Sequence, residues 1–193
     1  MTHIDVARVR RALKSDQDPL YPSGDEAFAA VAAVLRDGPL GAEVLLIRRA
    51  EHPGDPWSGH MAFPGGRYDA RDEHLLETAR REAREEVGLD LWREAVLLGP
   101  LDPLPAIARG RRLGMTIAPY VFELTGSPVL APNHEVLETL WAPLGMLARG
   151  EGAKSIDYVF EGQTLTLPAW DVEGRTVWGL TYRMLQALLE RLG

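Results

Sequence analysis

From Leu75 to Val87 the apolar residues Leu75, Leu76, Ala79, Ala83 and Val87 recur at helical spacing, and Gly88 follows as a stop. This amphipathic helix needs an apolar partner surface, which limits the folds open to the chain. It also carries Arg81-Glu82-Ala83-Arg84-Glu85-Glu86-Val87-Gly88-Leu89. Glu82, Glu85 and Glu86 stand at i, i+3 and i+4, so they share one face. Three like charges on one face repel unless something neutralises them. A hard divalent cation does so, and magnesium prefers carboxylate oxygens, water and substrate phosphates. Taken alone, such a run reads as a solvated helix face. Two neighbours turn the reading toward a site: Gly65 and Gly66 lie one loop upstream, where backbone approaches a ligand closely, and Gly88 closes the unit at once.

The partner surface is legible on either side. Phe28 to Leu35 and Glu43 to Ile47 are apolar runs separated by Asp37-Gly38-Pro39, and they read as two strands joined by a short loop; the alanines leave a helix open for the first. Ala95 to Leu98, Thr116 to Leu124 and Val136 to Trp141 read as further strands. Tyr158 to Phe160 and Thr164 to Leu167 suggest a hairpin around Glu161-Gly162. Helices are expected over Ile4 to Leu13, Pro143 to Arg149 and Gly179 to Leu192. Pro53 to Gly66 and Pro100 to Gly114 read as loops, and Ser15 to Gly24 as a connecting arm. Strands and helices are interspersed over 193 residues without repeats or a linker. One α/β sandwich domain over 1–193 is the economical reading, with an N-terminal helix and arm at about 1–25. That helix serves either a dimer contact or its own domain.

Hydrophobic residues make up 46% of the chain and charged residues 25%, which excludes a disordered or fibrous class. The net charge of -7 gives no general attraction to nucleic acid or anionic membrane. There is no cysteine, so disulfides, zinc-thiolate sites and a cysteine nucleophile are excluded. No secretory signal or membrane-length apolar run is visible. A cytoplasmic location and a small-molecule partner are the resulting expectations. Apart from Lys14 and Lys154 every basic side chain is arginine, which suits bidentate phosphate binding and equally reflects genome composition.

The carboxylate segment resembles the Nudix box, G-x5-E-x7-R-E-U-x-E-E-x-G-U with U a bulky apolar residue. Arg81-Glu82, Glu85-Glu86, Gly88 and Leu89 match, Ala83 is a small U, and Glu73 stands at the family's distance before Arg81. Gly66 is one residue early relative to Glu73, so the loop carries one extra residue and either Glu73 or Asp72 takes the upstream acid's place. The resemblance implies a Nudix-type α/β/α sandwich with a mixed β-sheet and pyrophosphate-bond hydrolysis with Mg2+, or Mn2+ in its place. It implies metal binding by Glu82, Glu85 and Glu86 with the Gly65 carbonyl, and orientation of the site by Arg81 paired with the upstream acid. As general base it offers Glu135, with Glu123 or a metal glutamate such as Glu85 as alternatives.

Upstream, Leu45-Leu46-Ile47-Arg48-Arg49-Ala50, then Gly59, then Phe63-Pro64-Gly65-Gly66, is similar to the signature of the coenzyme A pyrophosphatase branch. Ile47, Ala50, Glu51 and Asp55 depart from it, and His60 replaces its glutamine. Thr116 to Val121, Glu135 to Leu144 and Val177 to Thr181 also resemble that branch. The substrate implied is coenzyme A or a derivative, cut to 3′,5′-ADP and a 4′-phosphopantetheine; other nucleoside diphosphate derivatives and a non-catalytic nucleotide sensor stay open. Arg48, Arg49, Arg67, Arg109, Arg111 and Arg112 are candidates for its phosphates, against the reading of each as a solvated or ion-paired surface residue. His60 reads as a solvent-exposed loop residue that could touch substrate. Trp57, Trp141, Trp170 and Trp178 read as packing residues.

Overall fold

The computed structural model describes residues 3–13, 20–23, 26–54, 57–108 and 111–193. Its centre is a mixed sheet. Strand β1 (Ala27–Gly38) pairs antiparallel with β2 (Gly41–Arg49) and parallel with β7 (Arg111–Leu124). Strand β2 also pairs with β3 (Met61–Ala62) and β8 (Val136–Pro143), and β7 with β5 (Ala95–Pro100) and β6 (Leu104–Ala108). A short strand β4 (Gly65–Arg67) lies antiparallel to β1, with Val31 opposite Gly65 and Ala29 opposite Arg67.

Strand β1 is buried on both faces, which explains its unbroken apolar run. Because side chains alternate across a strand, Ala30, Ala32 and Val34 join one core while Ala29, Ala33 and Leu35 join the other. The first core is closed by helix α2 (Leu75–Val87) through Leu75, Leu76, Ala79, Ala83 and Val87. The second is closed by α1 (Val6–Ala12), α3 (Leu144–Ala148) and α4 (Gly179–Glu190). Helices therefore cover both faces of a mixed sheet, the α/β/α sandwich expected from the sequence. A separate antiparallel sheet of β9 (Ala153–Phe160), β10 (Gln163–Val172) and β11 (Arg175–Trp178) leads into α4.

Helix α2 has the bounds expected for it. The His74 ring accepts from the Glu77 N–H at its start, and Gly88 ends it at φ 75°, a left-handed conformation natural to glycine. Helix α1 packs on this chain: Ile4, Val6, Val9 and Leu13 are buried in the second core, and the Val6 N–H donates to Asp37 at 2.9 Å. Most of the expected arm at 15–24 lies outside the described residues.

Two loops expected from the sequence contain strands. Residues 104–108 and 111–124 pair as β6 and β7 where a loop from Pro100 to Gly114 was expected. The prolines and glycine conceal the pattern, and cross-strand pairing supplies what local propensity lacks. Likewise β3 and β4 interrupt the stretch from Pro53 to Gly66. The hairpin around Glu161 and Gly162 forms, both residues at positive φ, but its strands extend to 153–160 and 163–172. No helix among the described residues is long and apolar enough to cross a membrane.

Candidate active site

Strand β4 brings Gly65 and Gly66 against α2. The Gly65 N–H donates to Glu86 Oε2 at 2.8 Å. A Cβ at Gly65 would stand 2.4 Å from the Ala30 carbonyl oxygen, and one at Gly66 would stand 2.5 Å from the Glu82 carboxyl carbon. At Gly65 the obstacle is the main chain of β1, so only glycine lets the strand lie there, whereas at Gly66 it is the end of the Glu82 side chain. Glu86 is thus held deep in the structure, its side chain 2% exposed, with Arg49 Nη1 at 3.8 Å from Oε1.

The loop ahead of β8 docks on the same helix end. The Asn133 N–H donates to the Glu86 carbonyl and the Ala131 N–H to that of Val87, both at 2.9 Å. The Glu135 carbonyl accepts from the Ala50 N–H at 2.8 Å, and the Glu135 N–H donates to Asn133 Oδ1 at 2.8 Å. Backbone bonds therefore fix Glu135 between α2 and the end of β2. It lines one cleft of about 820 Å³ with Glu82, Glu85, Glu86, Gly65, Gly66, Arg49 and Arg67.

Burial raises the Glu86 carboxyl to about 7; the Gly65 N–H and Arg49 oppose the rise, while Glu82 and Glu135 add to it. Burial also raises Glu82, against its bond from Arg81. Arg81 is the organiser: Nη1 donates to Glu82 at 2.7 Å and to Glu85 at 3.3 Å, and Nη2 to the Arg67 carbonyl at 3.1 Å.

The acid that Arg81 meets is Asp72, which accepts from Nε at 3.1 Å and Nη2 at 3.0 Å and from Thr78 Oγ1 at 2.8 Å. Burial pushes Asp72 up, but these bonds outweigh it and leave its carboxyl below the usual range. Glu73, the other acid left open by the spacing, is exposed. Asp72 keeps the family's five-residue interval after Gly66, so the extra residue lies between the acid and Arg81.

Arg49 and Arg67 line the cleft, but Arg48, Arg111 and Arg112 do not. Alternation along β2 sends Arg48 away from Arg49, toward Glu138 at 3.9 Å. Arg111 pairs with Glu161, and Arg112 is exposed on β7 opposite Ile107. Arg109 lies outside the described residues. Glu123 pairs with Arg10 on another part of the surface. His60 is half-buried rather than solvated: it lines the cleft with its ring 4.8 Å from that of Trp178. Trp57 and Trp178 line the cleft as well, whereas Trp170 packs on Tyr182 and Trp141 lies under Arg36.

Comparison with known proteins decides the family. The NUDIX domain family matches residues 27–162. The chain belongs to the Nudix family. It is 31% identical over 150 residues to a Yersinia pestis protein named "Uncharacterized Nudix hydrolase NudL", covering 77% of this chain and 72% of that one. It is 40% identical over 107 residues, 54% of this chain, to the Schizosaccharomyces pombe protein C14C4.10c, of whose length the match covers 32%. Among solved structures, the NUDIX domain of Shewanella oneidensis NrtR complexed with ADP ribose superposes with a TM-score of 0.55 at 16% identity, covering 89% of this chain and 91% of that one. At that identity the likeness concerns the fold.

This Nudix hydrolase carries a donor set that suits the divalent cations on which such hydrolases depend. Glu86 is buried and Glu82 half-buried, both are shifted toward protonation, and among the described residues Arg49 and Arg81 counter them, while Glu85 is exposed. Oxygen donors in excess of local positive charge match a hard cation. Among the described residues no three acidic or histidine side chains converge as a ready-made cage. Glu82 and Glu85 are both held by Arg81.

Proposed function

We propose that this Nudix hydrolase cuts the pyrophosphate bond of coenzyme A or its derivatives, giving 3′,5′-ADP and the (acyl-)4′-phosphopantetheine, with Mg2+ or Mn2+. The observation that carries the reading is a cleft with carboxylates on one side and apolar side chains on the other. A pyrophosphate neutralised by a cation suits the first, and a slender amphipathic arm suits the second. The Leu45–Gly66 signature supports the same substrate.

Glu82, Glu85 and Glu86, with the Gly65 carbonyl, would hold the cation, which when bound lowers the pKa of water and offsets charge on phosphate oxygens. Arg49 and Arg67 bind phosphate oxygens from the rim. Water adds to one phosphorus, the bridging P–O bond breaks, and its electron pair leaves with the other phosphate. Glu135 takes the water proton: of the two cleft carboxylates outside α2, Glu51 and Glu135, it is the one whose charge acts on both Glu82 and Glu86. Arg81 touches no substrate in this scheme; it holds Glu82 and Glu85 in place from Asp72.

A second reading is hydrolysis of another nucleoside diphosphate derivative such as ADP-ribose. It is favoured by Ile47, Ala50 and His60, where the coenzyme A signature is broken. The test is a magnesium-dependent assay on coenzyme A beside ADP-ribose, NADH and dGTP, with products identified by mass spectrometry. Release of 3′,5′-ADP and 4′-phosphopantetheine with coenzyme A preferred supports the first reading. Cleavage of another substrate with coenzyme A intact replaces it with the second. Turnover unaffected by Glu82→Gln would remove the carboxylate helix from the mechanism altogether.

A further inference from the structure

Three of the chain's five methionines, Met61, Met115 and Met184, line the same cleft. They come from β3, β7 and α4, elements far apart in sequence, and all belong to the core opposite α2. Val31 and Ile117 join them from neighbouring central strands. The carboxylates approach from α2 on the other side of the sheet's end, so the cleft has two walls of opposite chemistry. The polar groups beside the methionines include Thr181, whose hydroxyl donates to the Met61 carbonyl at 2.9 Å, and His60, whose ring lies 4.8 Å from that of Trp178.

An arm that extends from the pyrophosphate along this wall meets apolar surface. A ribose there would lose water from its hydroxyls without regaining hydrogen bonds, which is costly. A chain whose hydroxyl and amides are interleaved with methyl and methylene groups can turn an apolar edge to the wall and keep its polar edge in water, and flexible thioethers adapt to its contour. We propose that Met61, Met115 and Met184 are the specificity determinants for the group beyond the pyrophosphate, selecting an apolar-faced chain over a sugar. This rests on the cleft being the substrate site, and it assigns these side chains a discriminating role in addition to packing.

The test is the ratio of kcat/KM for coenzyme A to that for ADP-ribose, in the wild type and in Met115→Gln and Met184→Gln. A polar amide on the wall supplies hydrogen bonds to a sugar and takes apolar contact from a chain. The ratio is expected to favour coenzyme A in the wild type and to fall at least about tenfold in each variant, the size of one recovered or lost contact. Met184→Leu is expected to keep the wild-type ratio. A purely structural role lowers both substrates together and leaves the ratio unmoved. An unmoved ratio in both glutamine variants, with coenzyme A still cut, overturns the methionine wall and leaves the proposed function standing. A wild type that cuts ADP-ribose and not coenzyme A overturns both. Should one glutamine variant fail to fold, the other and the wild-type ratio still decide.

Discussion

At the scale of single residues, the neighbouring glycines of β4 make opposite predictions. A methyl group at Gly65 meets main chain, the Ala30 carbonyl oxygen at 2.4 Å and the Val31 Cα at 2.7 Å, and neither yields without moving β1. Gly65→Ala is expected to cost about 1–3 kcal/mol, as overpacking does, visible as a lower urea midpoint. A methyl group at Gly66 meets the far end of the Glu82 side chain, which turns aside. Gly66→Ala should therefore melt within a few degrees of the wild type yet lose most magnesium-dependent turnover, because the displaced group is a candidate metal ligand. Asp72 and Glu73 form a second contrast. Asp72→Asn takes the ionised partner from a half-buried Arg81 and should cost roughly 1–3 kcal/mol. Glu73→Gln, at an exposed position, should stay within about 0.5 kcal/mol. Equal destabilisation by both variants would return Glu73 to the pairing role. The sequence showed the carboxylate face of α2 because helical spacing is short-range. It did not show which of two adjacent acids turns inward, since that depends on Thr78 and Arg81 arriving from the next turns of chain.

At the scale of elements, what was legible divides along the same line. Helix α2 and the interiors of β1, β2, β7 and β8 follow from apolar periodicity and from Gly88 as a stop. The strands within Pro53 to Gly66 and Pro100 to Gly114 did not, because β4 and β6 are held by pairing with β1 and β7 and not by their own composition. The arginines fared likewise: a count of basic residues cannot tell Arg49 from Arg48, but alternation along β2 sends one into the cleft and the other to Glu138. Glu135 could be nominated by resemblance, whereas its placement depends on the Asn133 bond to the end of α2. Helix α1 shows how an element with two open roles is resolved by burial. Val9 is fully buried in the second core, so α1 is part of this fold. Val9→Ala is expected to lower unfolding free energy by about 1.5–3 kcal/mol, measured by urea denaturation, while turnover by the folded fraction is unchanged because α1 does not reach the cleft.

At the scale of the whole molecule, the site places a cost on the fold that the proposed cation would offset. Glu86 carries a folded-state carboxyl at about 7 against an ordinary value of 4.5, raised by burial. A raised carboxyl binds its proton more tightly in the folded chain. Its contribution is therefore fully present below the unfolded value and is lost as pH rises from about 4.5 through about 7. In metal-free protein, then, the wild type should lose stability relative to Glu86→Gln across that window, because glutamine fills the same space without ionising. The comparison is the difference in melting temperature between the two proteins, taken in EDTA at intervals from pH 4.5 to 8. Adding Mg2+ at the upper end should raise the wild type, since a ligand that binds only the folded state stabilises it by mass action, and should raise Glu86→Gln less. A pH-independent difference in EDTA would mean that Glu86 is not held against ionisation by its burial. A magnesium response equal in both proteins would place the cation elsewhere than on α2. The expected pair of results would join the two halves of the structure: the fold buries a carboxylate that the proposed chemistry needs charged, so that stability and catalysis would be set against each other until a cation is bound.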